Sequence, residues 1–271
     1  MTSTDDTRSE ARDAASRRAS AVNPDLLAGR RAVVTGGASG IGAACVRAFA
    51  ASGAEVTVCD RDGEAAEALA AEVGGRAWTV DLAETADLED LTLETDILVH
   101  NAGVQRVAPI HEYEPEMWRF IHRLMVESPF LLTRAALPGM YARGFGRIIH
   151  LSSVHGLRAS AFKSAYVSAK HALEGLSKVT ALEGAPHGVT SNCINPAYVR
   201  TPLVEKQIAD QARIHGIGED EVIERIMLTE SAVKRMVEPE EVASLALWLA
   251  SDAAGMATGA SYTLDGGWTA A

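Results

Sequence analysis

The chain has 271 residues, 47% of them hydrophobic, and a formal net charge of −11. That is enough apolar material for one large domain with a sizeable core, while the acidic balance argues against nucleic acid or an anionic membrane surface as a partner. No apolar run reaches membrane-spanning length. Cys45, Cys59 and Cys193 lie far apart without metal-ligand spacing, which predicts free buried thiols in a reducing, cytoplasmic setting and no metal site.

Residues 1–27 are polar, rich in Ser, Ala and Arg, and carry no hydrophobic signal core. Asp5, Asp6, Glu10 and Asp13 argue against a transit peptide, so a disordered tail is expected there, followed by a single catalytic domain over 28–271. From residue 30 onward, runs rich in Val and Ile alternate with helical patterns. Strands are predicted at Arg31–Thr35, Glu55–Asp60, Ala77–Asp81, Asp96–Asn101, Arg147–Ser152, Thr190–Asn195 and Ser261–Leu264. Helices are predicted at Gly42–Ala51, Gly63–Glu72, Glu114–Tyr141, Ser164–Ala185 and Pro239–Ala250. The alternation reads as an α/β, Rossmann-type, doubly wound fold. Its sheet would be seven-stranded and predominantly parallel, with helices on both faces.

One section, at about 198–236, breaks the alternation with two amphipathic helical patterns near Leu203–Ile214 and Glu219–Leu228. It follows the C-terminal end of a strand, where open α/β sheets bind ligands, so a small helical lid is expected; a plain surface excursion is the other reading.

Thr35-Gly36-Gly37-Ala38-Ser39-Gly40-Ile41-Gly42 joins the first strand to the first helix. Gly36 permits a tight turn, Gly40 lets backbone approach a phosphate, and Gly42 lets helix and strand pack closely. With Ser39 and Ile41 they would seat a pyrophosphate at the helix N-terminus. Asp60 ends the second strand, eighteen residues after Gly42. A carboxylate there accepts hydrogen bonds from both ribose hydroxyls of NAD and repels the 2′-phosphate of NADP, so NAD is the expected cofactor. Asp81 and Leu82 can position the adenine, and Asn101-Ala102-Gly103 brings backbone near the ribose.

Tyr166 and Lys170 are four residues apart on a predicted helix and share one face. A phenol titrates near pH ~10, and a neighbouring ammonium favours the phenolate, making a usable acid/base. Ser153, thirteen residues before the tyrosine, can hold a substrate oxygen.

In this order, "TGGASGIG", "NAG", the serine, "YVSAK" and "NPAYVRTP" resemble the short-chain dehydrogenase/reductase family over roughly Leu26 to Trp268. The resemblance implies a homotetrameric oxidoreductase. Ser153 would polarise the substrate oxygen, Tyr166 exchange its proton, and Lys170 lower the tyrosine's pKa and bind the nicotinamide ribose. Pro196, Val199 and Thr201 would contact the nicotinamide half of NAD. "SVHGLRASAFKSAYVSAKH", "VRTPLVEKQIA" and "LDGGWTA" look like the D-3-hydroxybutyrate dehydrogenase subfamily. That likeness implies a small carboxylate substrate held by Gln105, His155, Lys163 and Gln207, with Tyr198 and Trp268 at the same pocket. A lone loop histidine or lysine is usually just solvated, as Arg158 is expected to be; four suitable groups together point to an anion. The alternatives are another small oxo acid, a polyol or a cyclic alcohol as substrate, or a non-catalytic NAD sensor.

The sequence departs from the family's pattern in three places. Met125 stands where an asparagine normally supports a water-linked proton relay; His122, one turn earlier, could substitute, but a surface or packing role is the favoured reading for it. The stretch between Asp81 and Asn101 is short and predicts a truncated helix. His100 replaces one of two asparagines.

Overall fold

A computed structural model describes residues 23–202, 204–205, 208, 212 and 217–270. Seven strands form one sheet in the order β3-β2-β1-β4-β5-β6-β7. They are β1 (Arg31–Thr35), β2 (Glu55–Asp60), β3 (Arg76–Thr79), β4 (Ile97–His100), β5 (Gly146–Leu151), β6 (Val189–Pro196) and β7 (Ser261–Leu264). Every neighbouring pair is parallel. The order reverses direction between β1 and β4, and the crevice at such a switch point is where a dinucleotide binds.

The helices follow from local sequence. α1 (Gly40–Ala51) opens on the glycine turn, and α2 (Gly63–Val73) is capped by Asp62, which accepts from Ala65 N at 3.1 Å. α3 (Pro115–His122) and α4 (Ser128–Arg143) are joined by a π-helical turn, Arg123–Glu127. The sequence predicts one helix across this region. Pro129 supplies no N–H and crowds the carbonyl four residues back, so the register widens just before it. α5 (Ser164–Gly184) is long and continuous. α6 (Glu219–Val222) runs into another π turn, and α7 (Pro239–Ala250) begins with proline and a Glu238/Glu241 capping box.

Two apolar layers flank the sheet. On one face Val34, Ile97, Val99, Ile149 and Ile194 pack with Phe49 of α1 and Val242 of α7. On the other Val33, Leu98 and Ile148 meet Leu132, Ala136 and Met140 of α4. The predicted truncated helix is a single 3-10 turn, Thr85–Leu88, whose Leu88 is buried in this second layer. Asp81 lies just beyond the end of β3 rather than within it.

Most of the expected tail, residues 1–22, lies outside the described residues. Leu27, at its end, is buried, and its amide donates to Ser52 O at 2.8 Å. Cys45, Cys59 and Cys193 are free and buried; burial pushes the Cys45 and Cys59 thiols up to about 12 and raises the Cys193 thiol strongly as well, so none is reactive. Among the described residues no helix is long and apolar enough to cross a membrane. None forms a cluster of three His, Cys, Asp or Glu able to hold a metal ion.

Candidate active site

A cleft of about 420 Å³ opens along the C-terminal ends of the strands. Of the predicted cofactor positions, Gly42 alone does not line it. A Cβ there would lie 2.1 Å from Gly36 O, so the absence of a side chain serves helix-to-strand packing. Gly36, at φ +60°, makes the turn, and the Asn101 amide fastens it by donating to Thr35 O at 3.0 Å and Gly36 O at 2.9 Å. Ser39 makes no side-chain cap and α1 has no acid in its first turn. This helix end therefore suits an anion, and the residues fit a pyrophosphate.

Asp60 lies at the far rim. Its two oxygens accept from Ala38 N at 3.0 Å and Asp62 N at 3.1 Å, which fixes the carboxylate while leaving each oxygen a further lone pair. Asp81, Leu82, Ala102 and Gly103 line the wall between. On the opposite side, Pro196 ends β6 and Val199 and Thr201 follow it, and the Thr201 methyl lies 3.2 Å from where a Gly40 Cβ would be.

The three residues expected to do the acid/base chemistry sit at the middle. Ser153 lies two residues beyond β5, and Tyr166 and Lys170 face it from α5. Lys170 is buried and its ammonium donates to Leu151 O. Burial brings it down to about 8. Burial raises the Tyr166 phenol, and a hydrogen bond with Ser153 opposes that rise. Sequence alone suggests that the lysine makes the phenol acidic. Lys170 Nζ lies 5.5 Å from the phenol ring's centroid, and the net direction for the phenol is upward, set by burial with the Ser153 bond against it.

The cationic set gathers beyond Ser153. Lys163 Nζ is 3.1 Å from His155 Nε2 and 5.9 Å from the centre of the Tyr198 ring. An ammonium only donates, so Nε2 is the acceptor and His155 carries its proton on Nδ1. Burial first, then the Lys163 charge, lowers this imidazole to about 4, so it is neutral at working pH. Trp268 stands edge-on to His155 at 5.5 Å, and Gln105 lines the same end. Gln207 lies outside the described residues. Most of the helix expected at Leu203–Ile214 also lies outside the described residues; the 198–236 section is tied at its ends by a Val199–Val237 bridge, and Ile208, Val222, Met227, Leu228 and Met236 form a small apolar cluster of their own.

One sequence expectation changes here, and two others are sharpened. Arg158 is not simply solvated: its guanidinium donates to Thr269 O at 3.1 Å. His122 has the packing role favoured for it: it stacks on Trp118 at 3.6 Å, its Nε2 lies 3.2 Å from Ser168 Oγ, and it does not line the cleft. Met125 is buried in the π turn with its methyl 3.3 Å from where a Gly103 Cβ would be, a packing contact against the cleft wall.

Sequence reading missed the support beneath the site. Asn195 donates to Ser153 O at 2.9 Å and to Glu174 Oε1 at 2.6 Å, and Ser261 donates to the other Glu174 oxygen at 2.6 Å. Next to it His100 and His150, paired in register across β4 and β5, stack at 4.8 Å. Glu174 is one turn beyond Lys170 on α5, a spacing visible in the sequence, but the register that brings His150 alongside His100 is not.

The comparisons agree with this geometry. The family model described as "Enoyl-(Acyl carrier protein) reductase" matches residues 36–269. D-beta-hydroxybutyrate dehydrogenase of Rhizobium meliloti (strain 1021) is 46% identical over 256 residues, covering 89% of this chain and 99% of that protein. The enzyme of the same name from Cupriavidus necator is 43% identical, over 90% of this chain and all of that one. A dehydrogenase crystal structure from Agrobacterium tumefaciens with bound NADP superposes with a TM-score of 0.79 at 32% identity, covering 92% of this chain and 100% of that one. The cleft, the strand order and these matches converge: the chain belongs to the short-chain dehydrogenase/reductase family, and is an oxidoreductase that works with a nicotinamide dinucleotide.

Proposed function

We propose that the protein interconverts D-3-hydroxybutyrate and acetoacetate with NAD. The observation that carries this reading is the Lys163–His155 pair, at 3.1 Å, in the same cleft as Ser153 and Tyr166. A four-carbon acid offers few atoms to recognise, so its carboxylate must supply much of the binding. A half-buried ammonium is among the strongest partners available for it. Two N–H groups of Lys163 remain for the anion while His155 holds the third, and Gln105 and Gln207 add neutral donors. Trp268 and Tyr198 keep water away from the pair.

Ser153 donates to the substrate oxygen, and Tyr166 takes the hydroxyl proton in oxidation and returns it in reduction. When bound, NAD supplies the hydride acceptor and a positive charge beside the phenol. Lys170, held by Leu151 O, is placed to bind the nicotinamide ribose. Asp60 supports NAD over NADP, because a 2′-phosphate would meet its carboxylate with only Arg61 to compensate. Met125 offers no hydrogen-bond donor for a relay at its position, so proton exchange with solvent must run elsewhere.

Assembly as a homotetramer is part of the proposal. Trp118, Phe130, Val179 and Leu182 on α3, α4 and α5 are exposed apolar side chains suited to cover by another copy. Following NADH absorbance on mixing the protein with NAD and D-3-hydroxybutyrate tests the reading. Turnover supports it; NAD binding without turnover indicates a sensor. Oxidation of neutral alcohols alone would move the substrate to that class.

A further inference from the structure

The turn that carries Trp268 is held by a dense set of hydrogen bonds. Asp265 is buried and accepts three hydrogen bonds from the turn that follows it. Gly267 N donates at 2.9 Å, Thr269 N at 2.8 Å and Thr269 Oγ1 at 2.5 Å. Burial opposes its ionisation, yet these bonds keep the carboxyl below its usual range, so it is charged at neutral pH. Gly266 and Gly267 take φ of +61° and +88°, conformations that let the chain double back tightly.

The turn is also tied outward on two sides. Arg158, from the loop between Ser153 and Tyr166, donates to Thr269 O at 3.1 Å. Val233 N, near the end of the 198–236 section, donates to Gly266 O at 2.9 Å. The loop holding Arg158 is itself fixed. Phe162 adopts φ +67°, rare for a bulky residue, and its carbonyl accepts from Ala108 N at 2.9 Å. Trp268 is thus pinned in place against His155, at the end of the cleft that holds Lys163.

We propose that residues 265–269 form a fixed end wall of the substrate pocket, and that Arg158 and Asp265 are its positioning residues, setting the largest acid the site turns over. This rests on the reading of the cleft as a hydroxy-acid site. Neither residue is placed against the reacting atoms; both act through Trp268. A wall held only by packing would yield to a longer substrate, whereas one tied by charge-assisted bonds resists it.

The test compares wild type, Arg158→Gln, Arg158→Lys, Asp265→Asn and Trp268→Ala with NAD and three acids: 3-hydroxybutyrate, 3-hydroxyhexanoate and 4-hydroxypentanoate. Arg158→Gln should raise KM for 3-hydroxybutyrate about five- to tenfold, the effect of losing one such tie, with kcat and NAD affinity little changed. It should raise the ratio of kcat/KM for at least one larger acid over 3-hydroxybutyrate. Trp268→Ala should reproduce that ratio change, and Arg158→Lys should recover part of the loss. In the NAD-loaded protein, amide exchange at 267–269 should quicken in Arg158→Gln. An unmoved ratio in both Arg158→Gln and Trp268→Ala, or unchanged exchange in Arg158→Gln, overturns the proposal. If Asp265→Asn fails to fold, the arginine variants decide alone. If wild type oxidises none of the three acids, the proposed function fails separately. The wall is then judged by exchange and by the affinities of the NAD-loaded protein for acetate and hexanoate. An equal preference in wild type and Arg158→Gln overturns it.

Discussion

The two halves of the cleft are built from different materials. The cofactor half is made mainly of backbone at the ends of parallel strands, with Gly36, Gly40 and Asn101–Gly103 exposing main chain and Asp60 and Asp81 among its few charged side chains. The substrate half is made of side chains carried on loops: His155 and Lys163 before α5, Tyr198 after β6, Trp268 beyond β7. Backbone at strand ends can be specified by a few glycines and survives wide change elsewhere. Side chains from three loops meet only if each loop is separately tied, as Phe162 O to Ala108 N and Arg158 to Thr269 O show. A scaffold of the first kind serves many reactions, and specificity resides in the second.

The comparison can be broken hardest at the boundary between the halves. Tyr166→Phe should cut kcat by about 10²- to 10⁴-fold, the range for loss of a general acid/base, while NAD binding measured by fluorescence titration stays near wild type. Substantial residual turnover would remove the tyrosine from its role. Lys163→Ala should act on the substrate side alone. It should raise KM for 3-hydroxybutyrate by about 10- to 100-fold, as expected for one charge-assisted hydrogen bond, without weakening NAD. If NAD affinity fell instead, the division between the halves would be wrong. Asp60→Ala should act on the cofactor side alone, narrowing the preference for NAD over NADP about tenfold, the size of a modest charge contact, with KM for substrate unchanged.

A smaller effect concerns the floor shared by both halves. Burial holds His150 down to about 3 and His155 to about 4, against an ordinary value of 6.5. Between those values and 6.5 the unfolded chain binds more protons, so stability falls as pH drops through that window. The slope is on the order of 1.4 kcal/mol per pH unit for each histidine. Denaturant unfolding from pH 7 to pH 4 should show this loss, and His150→Asn should flatten it. Equal slopes in the two proteins would assign the acid sensitivity elsewhere. Met125→Asn is expected to change turnover least, at most a fewfold; a large loss would show that the π turn is built around the thioether.

The sequence makes the cofactor half legible because its signals are local. The glycine spacing, the acid at the end of β2 and the Tyr-to-Lys interval each fit within one or two elements. The substrate half is legible only as a resemblance, since Gln105, His155, Lys163 and Trp268 are brought together by three loops that no periodicity predicts. The same limit hid Arg158 and Asp265, whose partners are 111 and at most 4 residues away respectively: the first pairing is too distant to read, the second too ordinary to notice. The break at Arg123–Glu127 was missed for another reason. A proline one turn into a helix normally reads as a start, and here it marks a change of register within one continuous run.

The central claim is that one end of the cleft is built for a carboxylate, and the most direct measurement compares NADH formation from D-3-hydroxybutyrate with that from its methyl ester. The two share the reacting carbon and differ in the anion. The account predicts that the acid is oxidised with a kcat/KM at least about tenfold higher than the ester, the worth of the Lys163 contact, and that Lys163→Ala erases the difference. Equal rates for acid and ester in the wild type, or oxidation of the ester alone, would contradict it.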